Sequence, residues 1–236
     1  SNTNTTETSY FHSLKRYNNM EQFKMVAECP ESTVVADYEA RPRNDSRYQS
    51  EAEMERELIE QLQGQAYDYL PITSEKEMVA NLRHQLERLN DYRFTEREWE
   101  AFFKSKISSQ NLGIAEKTAI IQEDHVQVLT REDGTTKNIY LIDKRDIHRN
   151  SLQVINQYVP EGGQRDNRYD VTILVNGLPL VHVELKRRGV DIKEAFNQIR
   201  RYNRESFWAG SGLFEYVQIF VISNGTLTKY YTQMPN

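Results

Sequence analysis

The sequence predicts an α/β fold in which helices flank a central β-sheet. Three observations predict it. The first half of the chain carries three helix-start signals with amphipathic runs after them, the apolar pattern becomes alternating after His125, and one further amphipathic run, 191–206, lies between strand-like segments. With 236 residues the chain is long enough for one large or two small domains with a hydrophobic core.

The composition is that of a polar, soluble globular protein, with 38% hydrophobic and 28% charged residues. No run approaches the roughly 20 apolar residues of a membrane span, and no charged-then-apolar N-terminal segment suggests secretion. The single cysteine, Cys29, excludes an internal disulfide and a cysteine-based zinc cluster. A net charge of -5 argues against indiscriminate binding of nucleic acid by the whole surface. We therefore expect a cytoplasmic protein without membrane contact.

Residues 1–47 are rich in Ser, Thr, Asn and charged residues, with short apolar pieces at 23–26 and 34–35. Such a segment buries too little apolar surface to fold by itself. We predict an extended, partly disordered arm over 1–47 and a folded domain over 48–236.

Three capping boxes mark helix starts, at Ser50, Ser74 and Thr95. In each of them a Glu follows three residues later, so that side chains and backbone satisfy one another in the first turn. The apolar residues that follow have the spacing of one buried helix face. We expect the helices between about 72 and 122 to form a layer inserted between the first helix and the sheet. The predicted helices cover about 50–64, 74–90, 95–107 and 114–121.

Alternating patterns predict strands in the second half of the chain. The continuously apolar run Tyr216–Ile222 predicts a central strand that is buried on both faces. Asp143, Asp146 and His148 resemble a metal-ligand cluster, but they lack a fixed helical or strand spacing, and we interpret them as a solvated loop. The other predicted strands are a hairpin at 125–130 and 136–142, and runs at 152–159, 171–175, 178–185 and 226–231.

The run Leu178–Leu185 places charged groups where a strand should bury itself. His182, Glu184 and Lys186 occupy alternating positions, so Glu184 and Lys186 share a face. A carboxylate on an apolar strand is unfavourable unless it is paired, hydrogen-bonded or metal-bound. Asp170 opens the preceding strand. An Asp and a Glu-x-Lys on adjacent strands can hold a divalent cation beside a phosphate.

The register of these two strands decides whether the carboxylates can meet. A two-residue turn at Asn176-Gly177 would pair Asp170 with Val183, which leaves Asp170 and Glu184 on opposite faces. A shared metal site therefore requires a one-residue shift, made either by a three-residue loop or by a β-bulge. We predict such a shift.

The segment 186–204 contains seven basic residues and two acidic ones. Two interpretations remain open: a solvated helix face with ion pairs, or a contact with the phosphate backbone of DNA. Gln198 and Tyr202 lie one helical turn apart in this segment, where a surface glutamine and a core tyrosine would be ordinary. The basic residues are Lys186, Arg187, Arg188, Lys193, Arg200, Arg201 and Arg204.

These residues resemble the PD-(D/E)xK nuclease superfamily, and more closely the nuclease domain of the motor (R) subunit of type I restriction endonucleases. Asp170 and the run 184–186, Glu-Leu-Lys, match the first motif, and Gln198 with Tyr202 matches the Q-x-x-x-Y motif of RecB-like nucleases. The resemblance is strong over about 138–227 and looser over about 48–135. It implies a restriction-endonuclease-like core with a mixed central sheet.

The resemblance also implies metal-dependent cleavage of double-stranded DNA. Asp170, Glu184 and the backbone carbonyl of Leu185 would bind Mg²⁺, for which Mn²⁺ could substitute, and Lys186 would orient the attacking water or contact the phosphate. The superfamily usually carries a further Glu on its first core helix; Glu55 is our first choice and Glu51 the second. For both, the alternative is an acid favoured by the helix dipole. Gln198 and Tyr202 would approach the site and help to place DNA, with Arg187, Arg188, Arg200 and Arg201 as further DNA contacts.

The sequence contains no G-x-x-x-x-G-K-[ST] phosphate loop, so ATP hydrolysis would belong to motor domains outside it. Implied partners are the rest of the R subunit and the modification and specificity subunits. Two other classes remain open: a non-catalytic PD-(D/E)xK-like domain that binds DNA or another subunit, and an independent repair or junction-resolving nuclease. A purely structural scaffold would not explain Glu184 and Lys186 on a buried strand.

Overall fold

The computed structural model describes residues 50–162 and 167–233, together with the backbone of two strands within 28–39. The strands are β1 (Glu28–Cys29), β2 (Ser32–Glu39), β3 (Asp68–Tyr69), β4 (Val126–Thr130), β5 (Thr136–Tyr140), β6 (Leu152–Tyr158), β7 (Tyr169–Val175), β8 (Leu178–Leu185), β9 (Ile219–Ser223) and β10 (Leu227–Gln233). Eight of them form one sheet in the order β1-β2-β10-β9-β8-β7-β6-β3, and β4 pairs with β5 in a separate hairpin. The sheet is mixed, because β8 runs parallel to β9 and β3 parallel to β6, whereas the other neighbours are antiparallel.

The helices begin where the capping boxes predict. The side chains of Ser50, Ser74 and Thr95 each accept a hydrogen bond from the backbone N–H three residues later, and each of those glutamates bonds back to the cap. The predicted helix over 95–107 changes at Phe102 into a π-helix, Phe103–Ile107. The α-helices are α1 (Glu51–Gly64), α2 (Glu75–Asn90), α3 (Glu96–Phe102), α4 (Ile114–Gln122) and α5 (Ile192–Glu205).

Helices cover the sheet on both faces, as expected for the predicted α/β fold, but the expectation of a layer between the first helix and the sheet is wrong because α1 packs directly on the strands. On one face α1 places Met54 and Ile59 against Val171, Val183 and Leu185. The alternate residues of β8 point to the opposite face, where α5 and the inserted helices α2 to α4 contribute to the larger core. The large core includes Met78, Leu82 and Leu86 of α2 and Ala195, Ile199 and Tyr202 of α5.

The predicted central strand over 216–222 differs from the structure in its start and in its burial. β9 lies in the middle of the sheet, as expected, but it begins at Ile219 because Leu213–Tyr216 forms a 3-10 turn. The expectation of burial on both faces is wrong: Phe220 is buried, whereas Ile219 is 39% exposed. Val221 is only partly buried because the small α1 cluster covers β6 to β8 more fully than β9.

The loop after β5 is solvated at Asp146 and His148, as interpreted, but it differs at Asp143. Asp143 is buried rather than solvated, and its carboxylate accepts hydrogen bonds from the backbone N–H groups of Arg145 and Asp146 and from the Arg149 side chain. Asp146 caps the following 3-10 turn through the backbone N–H of His148. These carboxylates therefore organise the loop.

The predicted arm contributes β1 and β2 to the sheet, and β2 pairs antiparallel with β10. The partial disorder expected for this arm concerns those residues of 1–47 that the structure does not describe. In the described part of the chain, no helix combines the length and the apolar character needed to cross a membrane.

Gly177 provides a test of the packing of α2 on the β7–β8 turn. Its φ is +84°, and an added Cβ would lie 2.6 Å from the Cα atom of Leu82 in α2. We expect Gly177→Ala to lower the free energy of unfolding by about 2–4 kcal/mol, because the left-handed backbone disfavours a side chain and the helix backbone cannot yield. Urea denaturation measures this difference.

The matched control is Gly134→Ala in the β4–β5 turn, where φ is +81° and an added Cβ would have nothing within 4 Å. It carries the backbone penalty alone, about 1 kcal/mol. Equal losses in the two variants would contradict the close approach of α2 to the turn.

Candidate active site

The register of β7 and β8 places the two motif carboxylates side by side. Asn176 and Gly177 both have positive φ, as a two-residue type I′ turn requires, and they pair Val175 with Leu178. The register then shifts by one residue, because Leu174 pairs with Pro179 but Ile173 with Val181, so Leu180 is an extra residue in β8. Val171 consequently pairs with Val183, and the same register sets Asp170 opposite Glu184. The predicted shift is confirmed as a bulge, and the three-residue loop is wrong.

The bulge has a local cause in the sequence. Pro179 has no backbone N–H to give to the β7 ladder, and proline within sheets is confined to edges, strand starts and bulges. The Leu180 carbonyl instead accepts a hydrogen bond from the backbone N–H of Gln218, just before β9. The turn chemistry and the proline together set the register at the far end of the strands.

Glu184 lies completely buried among three ionisable side chains. Its Oε2 is 3.2 Å from Nε2 of His182, and its Oε1 is 3.5 Å from Nζ of Lys186. The third is Asp170, whose Oδ2 accepts a 2.8 Å hydrogen bond from the backbone N–H of Leu185. Within the described residues Oε1 of Glu184 has no hydrogen-bond donor. The buried pair thus leaves carboxylate oxygen available to a cation.

Burial dominates the protonation of this cluster. It raises the pKa of Asp170 to about 7, with a further contribution from the negative charge of Glu184. It likewise raises the pKa of Glu184 to about 7, although Lys186 opposes the shift. The buried imidazole of His182 has its pKa lowered to about 4 and is neutral at pH 7. A divalent cation would reverse the effect on the carboxyl groups, because it favours their ionised forms.

The two candidate acids of α1 lie in different surroundings. Glu55 accepts hydrogen bonds from the side-chain amides of Asn156 (2.5 Å) and Gln157 (2.6 Å) at the end of β6. Glu51 accepts a 3.1 Å hydrogen bond from the backbone N–H of Arg187, and its charge contributes to the raised pKa of Glu184. The structure thus brings Glu51, our second choice, to the cavity beside Lys186, and Glu55, our first choice, to the end of β6.

The Q-x-x-x-Y residues of α5 are hydrogen-bonded to each other. Gln198 Nε2 donates to the Tyr202 hydroxyl at 2.5 Å, and that hydroxyl donates to the Arg168 carbonyl, two residues before Asp170. The Tyr202 ring is buried in the core, while Gln198 reaches the cavity beside Lys186. Tyr202 thus links the helix to the start of β7 and holds the Gln198 amide.

A cavity of about 590 Å³ opens beside Lys186 between the start of α1 and α5. Of the arginines predicted to contact DNA, Arg187 and Arg201 line it, whereas Arg200 lies over the Phe196 ring at 5.8 Å and Arg188 is not part of the lining. Arg204 lines it as well, although we did not single it out. The lining residues are Glu51, Lys186, Arg187, Val190, Glu194, Asn197, Gln198, Arg201 and Arg204.

His182 is the residue of the cluster to which sequence reasoning assigned no role. Its position two residues before Glu184 placed both side chains on one face, and that spacing was the available signal. Nowhere in the described ranges, this cluster included, are three His, Cys, Asp or Glu side chains arranged to hold a metal ion together.

Comparison with known proteins gives consistent results. The chain is 48% identical over 209 residues to the type I restriction enzyme EcoprrI endonuclease subunit of Escherichia coli, an alignment that covers 88% of this chain and 66% of that protein. It is 39% identical over 188 residues to the type I restriction enzyme SsaAORF53P endonuclease subunit of Staphylococcus saprophyticus, covering 78% of this chain and 19% of the relative. A putative type I restriction enzyme endonuclease subunit of Methanocaldococcus jannaschii, MjaVIIP, is 36% identical over 113 residues, which are 47% of this chain and 10% of the relative.

The chain thus spans about two thirds of the Escherichia coli relative and about a fifth of the staphylococcal one. The family model for the N terminus of the type I restriction enzyme R protein matches residues 48–235, from just before α1 to the end of β10. On that match, which includes every residue of the carboxylate cluster and the cavity, the chain belongs to the family of type I restriction enzyme R protein N termini.

Proposed function

We propose that this chain is the nuclease domain of a type I restriction enzyme R subunit, and that it hydrolyses phosphodiester bonds of double-stranded DNA with Mg²⁺. The observation that carries the proposal is the bulge in β8, which sets Asp170 opposite Glu184 beside Lys186, and Lys186 lines a basic cavity. The names of the relatives, all endonuclease subunits, support the same reaction class.

Asp170, Glu184 and the backbone carbonyl of Leu185 would hold the metal ion. Mg²⁺ prefers oxygen ligands, which suits a site with two buried carboxylates next to Lys186, the residue of the cluster that lines the cavity; Mn²⁺ has similar preferences. When bound, the ion supplies a water of lowered pKa and compensates the negative charge that develops on the phosphate. The buried Oε1 atom of Glu184, which makes no hydrogen bond among the described residues and has the Lys186 ammonium 3.5 Å away, fits this ligand set.

Lys186 would act on the phosphate itself. Its side chain is 13% exposed, lies against Glu184 and lines the cavity, so a phosphate that enters from the solvent meets its ammonium group. There it can contact a phosphate oxygen or orient the attacking water. Glu51, at the rim, can bind the waters around the ion, whereas Glu55 keeps Asn156 and Gln157 in place beside β7.

DNA would lie along α5 and the loop before it. Arg187, Arg201 and Arg204 line the cavity and would bind backbone phosphates, with Gln198 as a neutral donor between them. Arg188 and Arg200 lie outside the lining, so we assign them to phosphates further along the duplex. Contacts of this kind place DNA without reading its sequence.

Selection of the cleavage position would therefore depend on the remainder of the enzyme. The longer staphylococcal relative leaves room for further domains, and we propose that ATP is used there, in a motor region of the R subunit. The modification and specificity subunits complete the proposed complex. The alternative is a non-catalytic DNA- or subunit-binding domain, favoured by the finding that no three His, Cys, Asp or Glu side chains of the described residues are arranged to hold a metal ion together.

Metal titration separates these two functions. We expect the wild-type chain to bind Mn²⁺ by calorimetry in the presence of a DNA duplex, and Asp170→Ala or Glu184→Ala to abolish this binding because each removes a ligand. In the reconstituted complex both variants should lose DNA cleavage. The Lys186→Ala variant should still bind Mn²⁺ but lose DNA cleavage, since it lacks the ammonium group that would contact the phosphate. A wild-type chain that does not bind Mn²⁺ under these conditions would support the non-catalytic alternative.

The two acids of α1 form a matched pair of variants one helical turn apart. Glu51→Gln is expected to lower cleavage by the complex about 10-fold or more, as replacement of groups around a metal site commonly does. Glu55→Gln should stay within about 3-fold of wild type, because a Gln oxygen can still accept from Asn156. Comparison of initial cleavage rates measures both effects. A larger loss of cleavage in Glu55→Gln than in Glu51→Gln would assign the role at the metal site to Glu55.

Without a metal ion the carboxyl pair should destabilise the domain at neutral pH. The pKa values of Asp170 and Glu184 rise to about 7 on folding, from about 4 in an unfolded chain, so both groups bind protons more tightly in the folded state. Their effect is a free energy of unfolding that falls as the pH rises from about 4 to about 7 and stays low above it. We expect Glu184→Gln in EDTA to melt roughly 5 °C above wild type at pH 8 and close to it at pH 5.

The titration of His182 acts in the opposite direction but is common to both proteins, so the difference between them isolates the carboxyl pair. Glu60→Gln on α1, whose side chain is 66% exposed, is the control and should melt with wild type at both pH values. Lower stability of Glu184→Gln at pH 8 would show that the ionised pair is already compensated within the domain.

A further inference from the structure

We infer that His182 is a positioning residue for the proposed metal site: its Nε2–H holds Oε2 of Glu184 and thereby directs Oε1 to the cation. The inference rests on the proposed function and adds to it a residue outside the D…E-x-K and Q-x-x-x-Y motifs. Three observations carry it: the contact between His182 and Glu184, the cage of aromatic rings around the imidazole, and the different partners of the two carboxylate oxygens of Glu184.

The imidazole is held in a rigid apolar cage. The side chain is completely buried, and its ring lies edge-on to Tyr169, Phe207 and Tyr202 with centroid distances of 5.4, 5.7 and 5.9 Å. On the β9 side it pairs in register with Phe220. A phenylalanine or leucine could fill such a place without burying polar nitrogens, so packing alone does not account for a histidine. Its polar contact within the described residues is Glu184.

The direction of that hydrogen bond follows from the chemistry of Glu184. A carboxylate that binds a metal ion is ionised and can only accept hydrogen bonds. At 3.2 Å from Oε2, Nε2 of His182 must therefore carry the proton and donate it. Oε1 is left with the 3.5 Å approach of Lys186 at the cavity side. One oxygen is thus fixed by the protein and the other faces the place of the cation.

The opposite side of the ring suggests how this tautomer is selected. Nδ1 of His182 is buried and lacks a hydrogen-bond partner in the described part of the chain, and so does Oγ1 of Thr172. Thr172 is buried and lies directly across from His182 in the β7–β8 ladder. Because Nδ1 has no hydrogen-bond partner among the described residues, the carboxylate at Nε2 decides the tautomer and favours the imidazole proton on Nε2. The bulge that aligns Asp170 with Glu184 also aligns Thr172 with His182.

The test is a calorimetric titration of the whole chain with Mn²⁺ in four proteins. They are wild type and the variants His182→Phe, His182→Gln and Phe220→Leu. The Phe side chain fills the cage but has no donor, whereas the Gln amide nitrogen reaches about as far as Nε2. Phe220→Leu is a change in the core across from His182 that does not touch Glu184. We expect His182→Phe to bind Mn²⁺ about 10- to 100-fold more weakly, as is typical when a ligand loses its supporting hydrogen bond. His182→Gln and Phe220→Leu should stay within about 3-fold of wild type.

Two results would overturn the inference while leaving the proposed function intact. One is wild-type affinity in His182→Phe; the other is an equal loss in Phe220→Leu, which would reduce His182 to a packing role. The ¹⁵N NMR spectrum of His182 adds a measurement that needs no metal ion, in which the proton is expected on Nε2. A proton on Nδ1 alone contradicts the donor role. A wild-type chain that fails to bind Mn²⁺ even with a DNA duplex present defeats the proposed function, and the positioning role with it.

Discussion

One extra residue in β8 decides on which face of the sheet Glu184 lies. Without the bulge at Leu180, the turn at Asn176-Gly177 would send Asp170 and Glu184 to opposite faces, because side chains alternate along a strand. With it, the cluster of Asp170, Glu184 and Lys186 forms on the α5 face, while Val183 and Leu185 turn to α1. The turn, the proline and the bulge lie several residues from the carboxylates, so the site depends on a register set at a distance.

The same arrangement explains why the site is electrostatically unfavourable by itself. Two carboxyl groups are buried next to each other, and burial raises the pKa of each to about 7. Lys186 and His182 are the neighbouring polar groups, but the imidazole is neutral at pH 7 and Lys186 approaches one oxygen at 3.5 Å. A domain shaped only for stability would replace these groups by apolar ones. Their retention is the physical argument for a cation at this place.

The helices on the two faces complete the site from opposite directions. α1 begins beside the end of β8, so its first-turn acid, Glu51, reaches the backbone of Arg187, whereas Glu55 one turn later reaches the end of β6. α5 packs Tyr202 into the core and extends Gln198 and Arg201 into the cavity. A negatively charged chain thus presents a local basic surface next to its buried carboxylates, which suits a ligand that carries both phosphates and a metal ion.

The sequence by itself determined the local structure and the chemical types at the site. Capping boxes located α1, α2 and α3 because their hydrogen bonds lie within four residues, and alternation placed His182, Glu184 and Lys186 on one face of β8. It also required a register shift between β7 and β8 if Asp170 was to meet Glu184. Tertiary structure decided that this shift is a bulge, that Glu51 rather than Glu55 lies by Arg187, and that His182 contacts Glu184 inside a ring cage. Pro179 favours a bulge locally, but which residue of β8 leaves the ladder, the place of Glu51 and the cage around His182 depend on strand pairing and helix packing between residues far apart in the chain.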